Sequence, residues 1–199
     1  GGKLFVNGSL TASSAVAVAA GATLGGTGSV GGTATVAAGG IIEAGQSGSG
    51  ALTLGGLTFS SGGSLAFGSA TNYTATPGIN VTTSNGLVAN GAAGSLLFTF
   101  SGGLSTGTYK LVSYSGSIGG TGQSAFTLGV LPGRAAGALD FGTTGLIQLN
   151  VTGIDSLIWT GANSSNWSTS TEAPNYNWKL NSNNANTDFL ANDIVNFTD

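Results

Sequence analysis

Val18-Ala-Ala-Gly21-Ala-Thr-Leu24, Val36-Ala-Ala-Gly39-Gly-Ile-Ile42 and Phe59-Ser-Ser-Gly62-Gly-Ser-Leu65 share one form, apolar-x-x-Gly-x-x-apolar, at offsets of 18 and 23 residues. Each copy carries an apolar or small residue two places earlier (Val16, Ala34, Leu57) and a glycine soon after its end (Gly25, Gly45, Gly68). A weaker fourth copy starts at Val88 with Gly91. Around them, apolar residues alternate with small polar ones, as in Ala15-Val16-Ala17-Val18, Leu52-Thr53-Leu54 and Leu57-Thr58-Phe59. A period of two is the signature of a strand with one buried face.

Short strands, glycine corners and a repeat of about twenty residues are what one coil of a right-handed parallel β-helix requires, so an all-β solenoid is the expected fold. Coils stack about 4.8 Å apart, which puts equivalent side chains over one another. Val18, Val36 and Phe59 should then form one inner column, Leu24, Ile42 and Leu65 another, with Gly21, Gly39 and Gly62 at the corners. Stacking also accounts for the missing charge. Like charges on adjacent coils repel by about 332/(80 × 4.8) ≈ 0.9 kcal/mol even at the dielectric of water, and a Ser/Thr/Asn ladder avoids that cost. Glu43 is the only charged residue between Leu4 and Tyr109. The alternative architecture is a β-sandwich with glycine-rich loops.

Composition narrows the chemistry. Of 199 residues, 37 are glycine and 6% are charged, with no cysteine, histidine or methionine. Ser-His-Asp and Cys-His units, thiolate zinc sites and disulfides are therefore excluded. With Lys+Arg 4 against Asp+Glu 7 there is no basic field for nucleic acid or anionic lipid. No run approaches the ~18 consecutive apolar residues of a spanning helix, so no membrane insertion is expected. Gly26-Thr-Gly28-Ser-Val-Gly31 matches a dinucleotide fingerprint, but this glycine content makes about one such match by accident and no helix follows. Gly103-Leu-Ser105-Thr-Gly107 matches a nucleophile elbow that lacks its histidine.

Three segments are expected: glycine-rich coils over 1–95, a continuation or cap with longer strands over 96–153, and a Trp/Asn-rich segment over 154–199. Strand-like runs occur at Leu96–Phe100, Thr108–Tyr114, Ala125–Leu131 and Gly145–Thr152, with a turn at Pro132-Gly133. The third segment holds Trp159, Trp167 and Trp178 and most of the acids. Trp167, Tyr176 and Trp178 with Asn177 are the glycan-contact candidates, since aromatic faces stack on sugar rings and amides bind hydroxyls. Aromatics in this position equally serve to plug an open solenoid end.

Carboxylate-only catalysis would need two acids about 5 to 9.5 Å apart, drawn from Glu43, Asp140 and Asp155, and no enzyme is expected. Asp188, Asp193 and Asp199 follow neither the EF-hand nor the nonapeptide calcium pattern, so they read as turn acids, and neither metal nor cofactor is expected. Sequons at Asn7, Asn72, Asn80, Asn150, Asn163, Asn166 and Asn196 matter only in a glycosylating environment.

The run Gly21–Gly32, then Val36–Gly45, then Gly50–Phe59, resembles the autotransporter-associated β-strand repeat of very large bacterial surface and secreted proteins. Gly107–Tyr114, Ile147–Gly153, Leu157-Ile-Trp-Thr-Gly161, Asn177-Trp178 and Asp193–Phe197 resemble the join between two such units. The resemblance implies a passenger-type parallel β-helix at the cell surface or outside the cell, acting as stalk, fibre or adhesin. The sequence departs from a full autotransporter in lacking a membrane β-barrel and a leader, and on this reading it is expected to start inside one unit and stop inside the next. The implied partners are further copies of itself, end to end, and surface polysaccharide for an adhesin.

Overall fold

The computed structural model describes residues 1–197. It is mostly β, with three sheets and, among the described residues, three short 3-10 turns and no α-helix. The chain passes back and forth between two sheets, and each return to the first sheet opens a new level. The first level holds β1 (Lys3–Phe5), β2 (Ser9–Leu10) and β3 (Val16–Val18), and the second β4 (Thr23–Gly25) and β5 (Ser29–Val36). The third holds β6 (Gly40–Glu43) and β7 (Leu52–Phe59), and the fourth β8 (Gly63–Phe67), β9 (Ile79–Ser84) and β10 (Leu87–Ala89). The fifth holds β11 (Leu96–Phe100), β12 (Gly107–Ser115) and β13 (Gly119–Gly120), and β14 (Phe126–Leu128) opens the sixth.

The first sheet is six parallel strands in the order β1-β4-β6-β8-β11-β14. Its inner column runs Leu24, Ile42, Leu65, Phe98, Leu128, each paired with the next, and at the open end Leu24 pairs with the exposed Leu4. In the second sheet Val18 pairs with Val36, Val36 with Phe59, and Phe59 with Ala89. These inward residues form one continuous core, because alternation buries every second side chain of β6, β8 and β11. Phe67 stacks on Phe98 and Phe100 at centroid distances of 5.9 and 5.5 Å, so the later levels are filled with larger rings.

The corners stack as well as the strands. Gly21 N–H donates to the Gly39 carbonyl and Gly39 N–H to the Gly62 carbonyl, both at 3.0 Å. Gly39 has φ 74°, the left-handed conformation that glycine adopts without steric cost. Gly55 is needed for a different reason: a Cβ there would lie 2.0 Å from the Gly31 carbonyl oxygen on the level below.

Three features differ from the sequence expectation. The fourth corner is longer: Val88 lies over Thr58, and Ala89 takes the place above Phe59. Only Phe126–Leu128 of the expected 125–131 strand pairs as a strand; Ala125 closes the 3-10 turn Gly122–Ala125, and a second such turn, Pro132–Arg134, follows. The ladder then reverses. β15 (Ala135–Asp140) and β16 (Leu146–Ile154) form an antiparallel pair, and β16 also runs antiparallel to β12. The short link between β15 and β16 allows only a hairpin, whereas a parallel return needs a crossover of a dozen or more residues.

One residue, Asp155, joins β16 to the third sheet. That sheet has the order β19-β18-β17-β20, from β17 (Ser156–Trp159), β18 (Trp178–Leu180), β19 (Asn186–Thr187) and β20 (Ile194–Asn196). β17 is antiparallel to β18 and parallel to β20.

Candidate functional site

The aromatic candidates converge on the third sheet. Trp159 and Trp178 are cross-strand partners on β17 and β18, and their rings meet edge to face at 4.8 Å. Trp167, on the long connection between those strands, meets Trp178 edge to face at 4.7 Å and lies nearly parallel to Trp159 at 5.7 Å. Phe189 packs on Trp178 at 5.5 Å and Phe197 on Trp167 at 5.7 Å. Trp178 is fully buried, and its indole N–H donates to the Ser168 carbonyl at 2.9 Å. Trp167 keeps 49% of its surface exposed.

Asn177 is also fully buried, and its groups are engaged within the chain. Its Nδ2 donates to Glu172 Oε1 (3.1 Å) and Ser164 Oγ (3.2 Å), and its Oδ1 accepts from the N–H groups of Asn163 and Ser164, both at 2.9 Å. Its own N–H donates to Glu172 Oε2 at 2.8 Å. An amide so occupied organises the 160–177 loop and has no group left for a sugar hydroxyl. Of the four glycan-contact candidates, Asn177 and Trp178 are therefore interior residues, Tyr176 is half-buried, and Trp167 offers the exposed aromatic surface.

The repeat residues sit elsewhere, in the stack, where their outer neighbours form a polar column. Ser9, Ser29, Thr53, Asn80 and Ser113 occupy successive paired positions. Ser29 Oγ donates to Ser9 Oγ at 3.1 Å, and Ser113 Oγ to Asn80 Oδ1 at 2.7 Å. The column is uncharged along its whole length.

The acids are tied up locally. Glu43 lies 3.5 Å from Lys3 Nζ. Asp140 Oδ1 accepts from Gly142 N–H at 2.7 Å. Asp155 accepts from Ser156 N–H (2.9 Å), Ser182 N–H (3.2 Å) and Ser182 Oγ (2.7 Å). Asp188 Oδ1 accepts from Glu172 N–H at 2.6 Å, and Asp193 pairs with Arg134. Asp199 lies outside the described residues. No group of three or more metal-ligating side chains comes together among the described residues.

Tyr73 is a residue that no motif marked. It is buried, its ring meets Phe67 edge to face at 5.4 Å, and its hydroxyl faces the carbonyls of Gly48 (2.8 Å) and Ala44 (3.2 Å). Burial, and then the Glu43 carboxylate, push its pKa up to about 12. The glycine-rich run 45–50 could have signalled a tight loop needing such an anchor. Phe189 went unmarked because its partners, Trp167 and Trp178, lie far from it in sequence.

No family model, no curated protein and no solved structure matches the chain.

Proposed function

We propose that the chain is a right-handed parallel β-helix serving as a structural repeat module of an extracellular bacterial fibre, stalk or surface protein, its coils stacking end to end with those of adjoining modules. What supports this reading most is the register of the first five levels: like residues lie over like, neutral outside and apolar inside. Such a column is open to extension at its β1 end, because each of these levels presents the next with the same chemistry. Among the described residues β1 pairs on one side only, with β4, and β2 and β3 pair only with β5. Edges of this kind accept further strands. A rod held by backbone hydrogen bonds and apolar packing is indifferent to salt and offers trypsin few sites.

Negative-stain microscopy of native material tests this directly. Thin rods of constant width, with a fibre reflection near the ~4.8 Å interstrand spacing, are expected. Compact particles, or assemblies that dissolve in high salt, would overturn it.

The adhesin reading rests on one observation, the half-exposed indole of Trp167. Trp167→Ala should then abolish retention on a polysaccharide array while the fold persists. Retention unchanged by that substitution removes the adhesin reading and leaves the structural one intact.

A further inference from the structure

We propose that Arg134 and Asp193 form a latch that docks the third sheet against the end of the stack and makes the one-residue connection at Asp155 a rigid joint. Arg134 is the only arginine in the chain and ends the 3-10 turn that follows β14. Its Nε lies 3.0 Å from Asp193 Oδ1, with side-chain exposures of 15% and 0%, a charge contact without hydrogen-bond alignment. Its Nη2 donates to the Asp188 carbonyl. The other oxygen of Asp193 accepts from Leu190 N–H at 2.7 Å, so the carboxylate also holds the shape of its own loop.

The backbones around the pair are shaped for close approach. Gly133, at φ 61°, has the Asn192 carbonyl 2.7 Å from where a Cβ would stand. Arg134 (φ 56°) and Asn192 (φ 70°) are both left-handed although neither is glycine. Such conformations persist only where surrounding contacts hold them. Asp155 N–H donates to the Arg134 carbonyl at 3.3 Å, fastening the connecting residue to the same turn.

Charge makes the contact conditional. Neither ion can be buried alone without a large desolvation cost, so each surface becomes stable there only when the other arrives. In a chain with 6% charged residues, a buried pair between two separate sheets is best explained as fixing how they meet. Because it is buried, the pair is screened little by salt.

The test uses the whole chain with Arg134→Gln, Asp193→Asn and the double substitution. Chymotrypsin cleavage at the exposed aromatic and leucine sites of 160–190 reads undocking, and small-angle scattering reads the spread of shapes. Circular dichroism reads the stack. Each single variant should raise cleavage at least about tenfold and broaden the scattering profile, with the strand signal retained. The double variant should be no worse than the worse single one. Native cleavage rates in both single variants, or effects that multiply in the double, would overturn the latch. So would loss of the strand signal in both single variants, because the pair would then be required by the stack itself. Arg134→Lys, which keeps the charge but loses the guanidinium fork, should fall between native and Arg134→Gln; native behaviour would show that charge alone suffices and overturn the role of the Asp188 contact.

Discussion

The Tyr73 hydroxyl donates to the Gly48 carbonyl at 2.8 Å, across 25 residues of sequence, and so anchors the glycine-rich loop of the third level to the fourth. Removing the hydroxyl takes a donor from the Ala44 carbonyl and leaves Gly48 with Asn72 Nδ2 alone, at 3.2 Å. Tyr73→Phe should destabilise by about 1–2 kcal/mol in urea unfolding. Burial of the same ring, and then the Glu43 carboxylate, set an alkaline limit. A pKa of about 12 against the ordinary 10.0 means the folded state holds this proton more tightly than the unfolded chain. Its contribution is complete below pH 10 and disappears as pH rises through about 12. Absorbance titration of the four tyrosines should find one ionising last, together with unfolding.

Ser29 and Thr53 are stacked neighbours on the outer column. Ser29→Glu with Thr53→Glu should show a repulsive coupling of about 1 kcal/mol in a double-mutant cycle, declining with salt. Ser29→Lys with Thr53→Glu should couple with the opposite sign. A coupling of zero in both cycles would mean the two positions are not adjacent.

Gly39 and Gly55 separate two uses of glycine. Nothing would touch a Cβ at Gly39, so Gly39→Ala should cost only its left-handed conformation, about 1–2 kcal/mol. At Gly55 the added carbon strikes backbone on the level below, and Gly55→Ala should prevent close stacking of β5 and β7. Thermal melts of the two variants should differ sharply.

Trp178→Ala removes a fully buried ring and should cost about 3–5 kcal/mol, seen as loss of fluorescence coupling among the remaining indoles and early unfolding of the third sheet. Trp167→Ala, at a half-exposed ring, should cost clearly less. Asn177→Ala should release the 160–177 loop to proteolysis, because it strips the side-chain partners of Glu172 Oε1, Asn163 N–H and Ser164 together, while the backbone bond to Glu172 Oε2 remains.

Some of this was legible in the chain. Val18, Val36 and Phe59 could be aligned because each opens the same apolar-x-x-Gly-x-x-apolar form, and they are partners in the second sheet. Alignment faltered at Val88, where a longer corner moved the partner of Phe59 by one residue. The role of Asn177 was not legible. An asparagine beside tryptophans has the same composition whether it faces a sugar or closes a loop, and only the positions of Glu172, Ser164 and Asn163 distinguish the two.

Sequence alone determined the paired columns of the first three copies, their glycine corners and the neutrality of the outer column, because a parallel in-register ladder repeats one local environment and therefore writes it at intervals along the chain. Tertiary structure decided the reversal at β15 and β16, the burial of Trp178 and Asn177, and the meeting of Arg134 with Asp193. These depend on contacts made once, between segments whose separation follows no period, and a contact made once leaves no pattern to read.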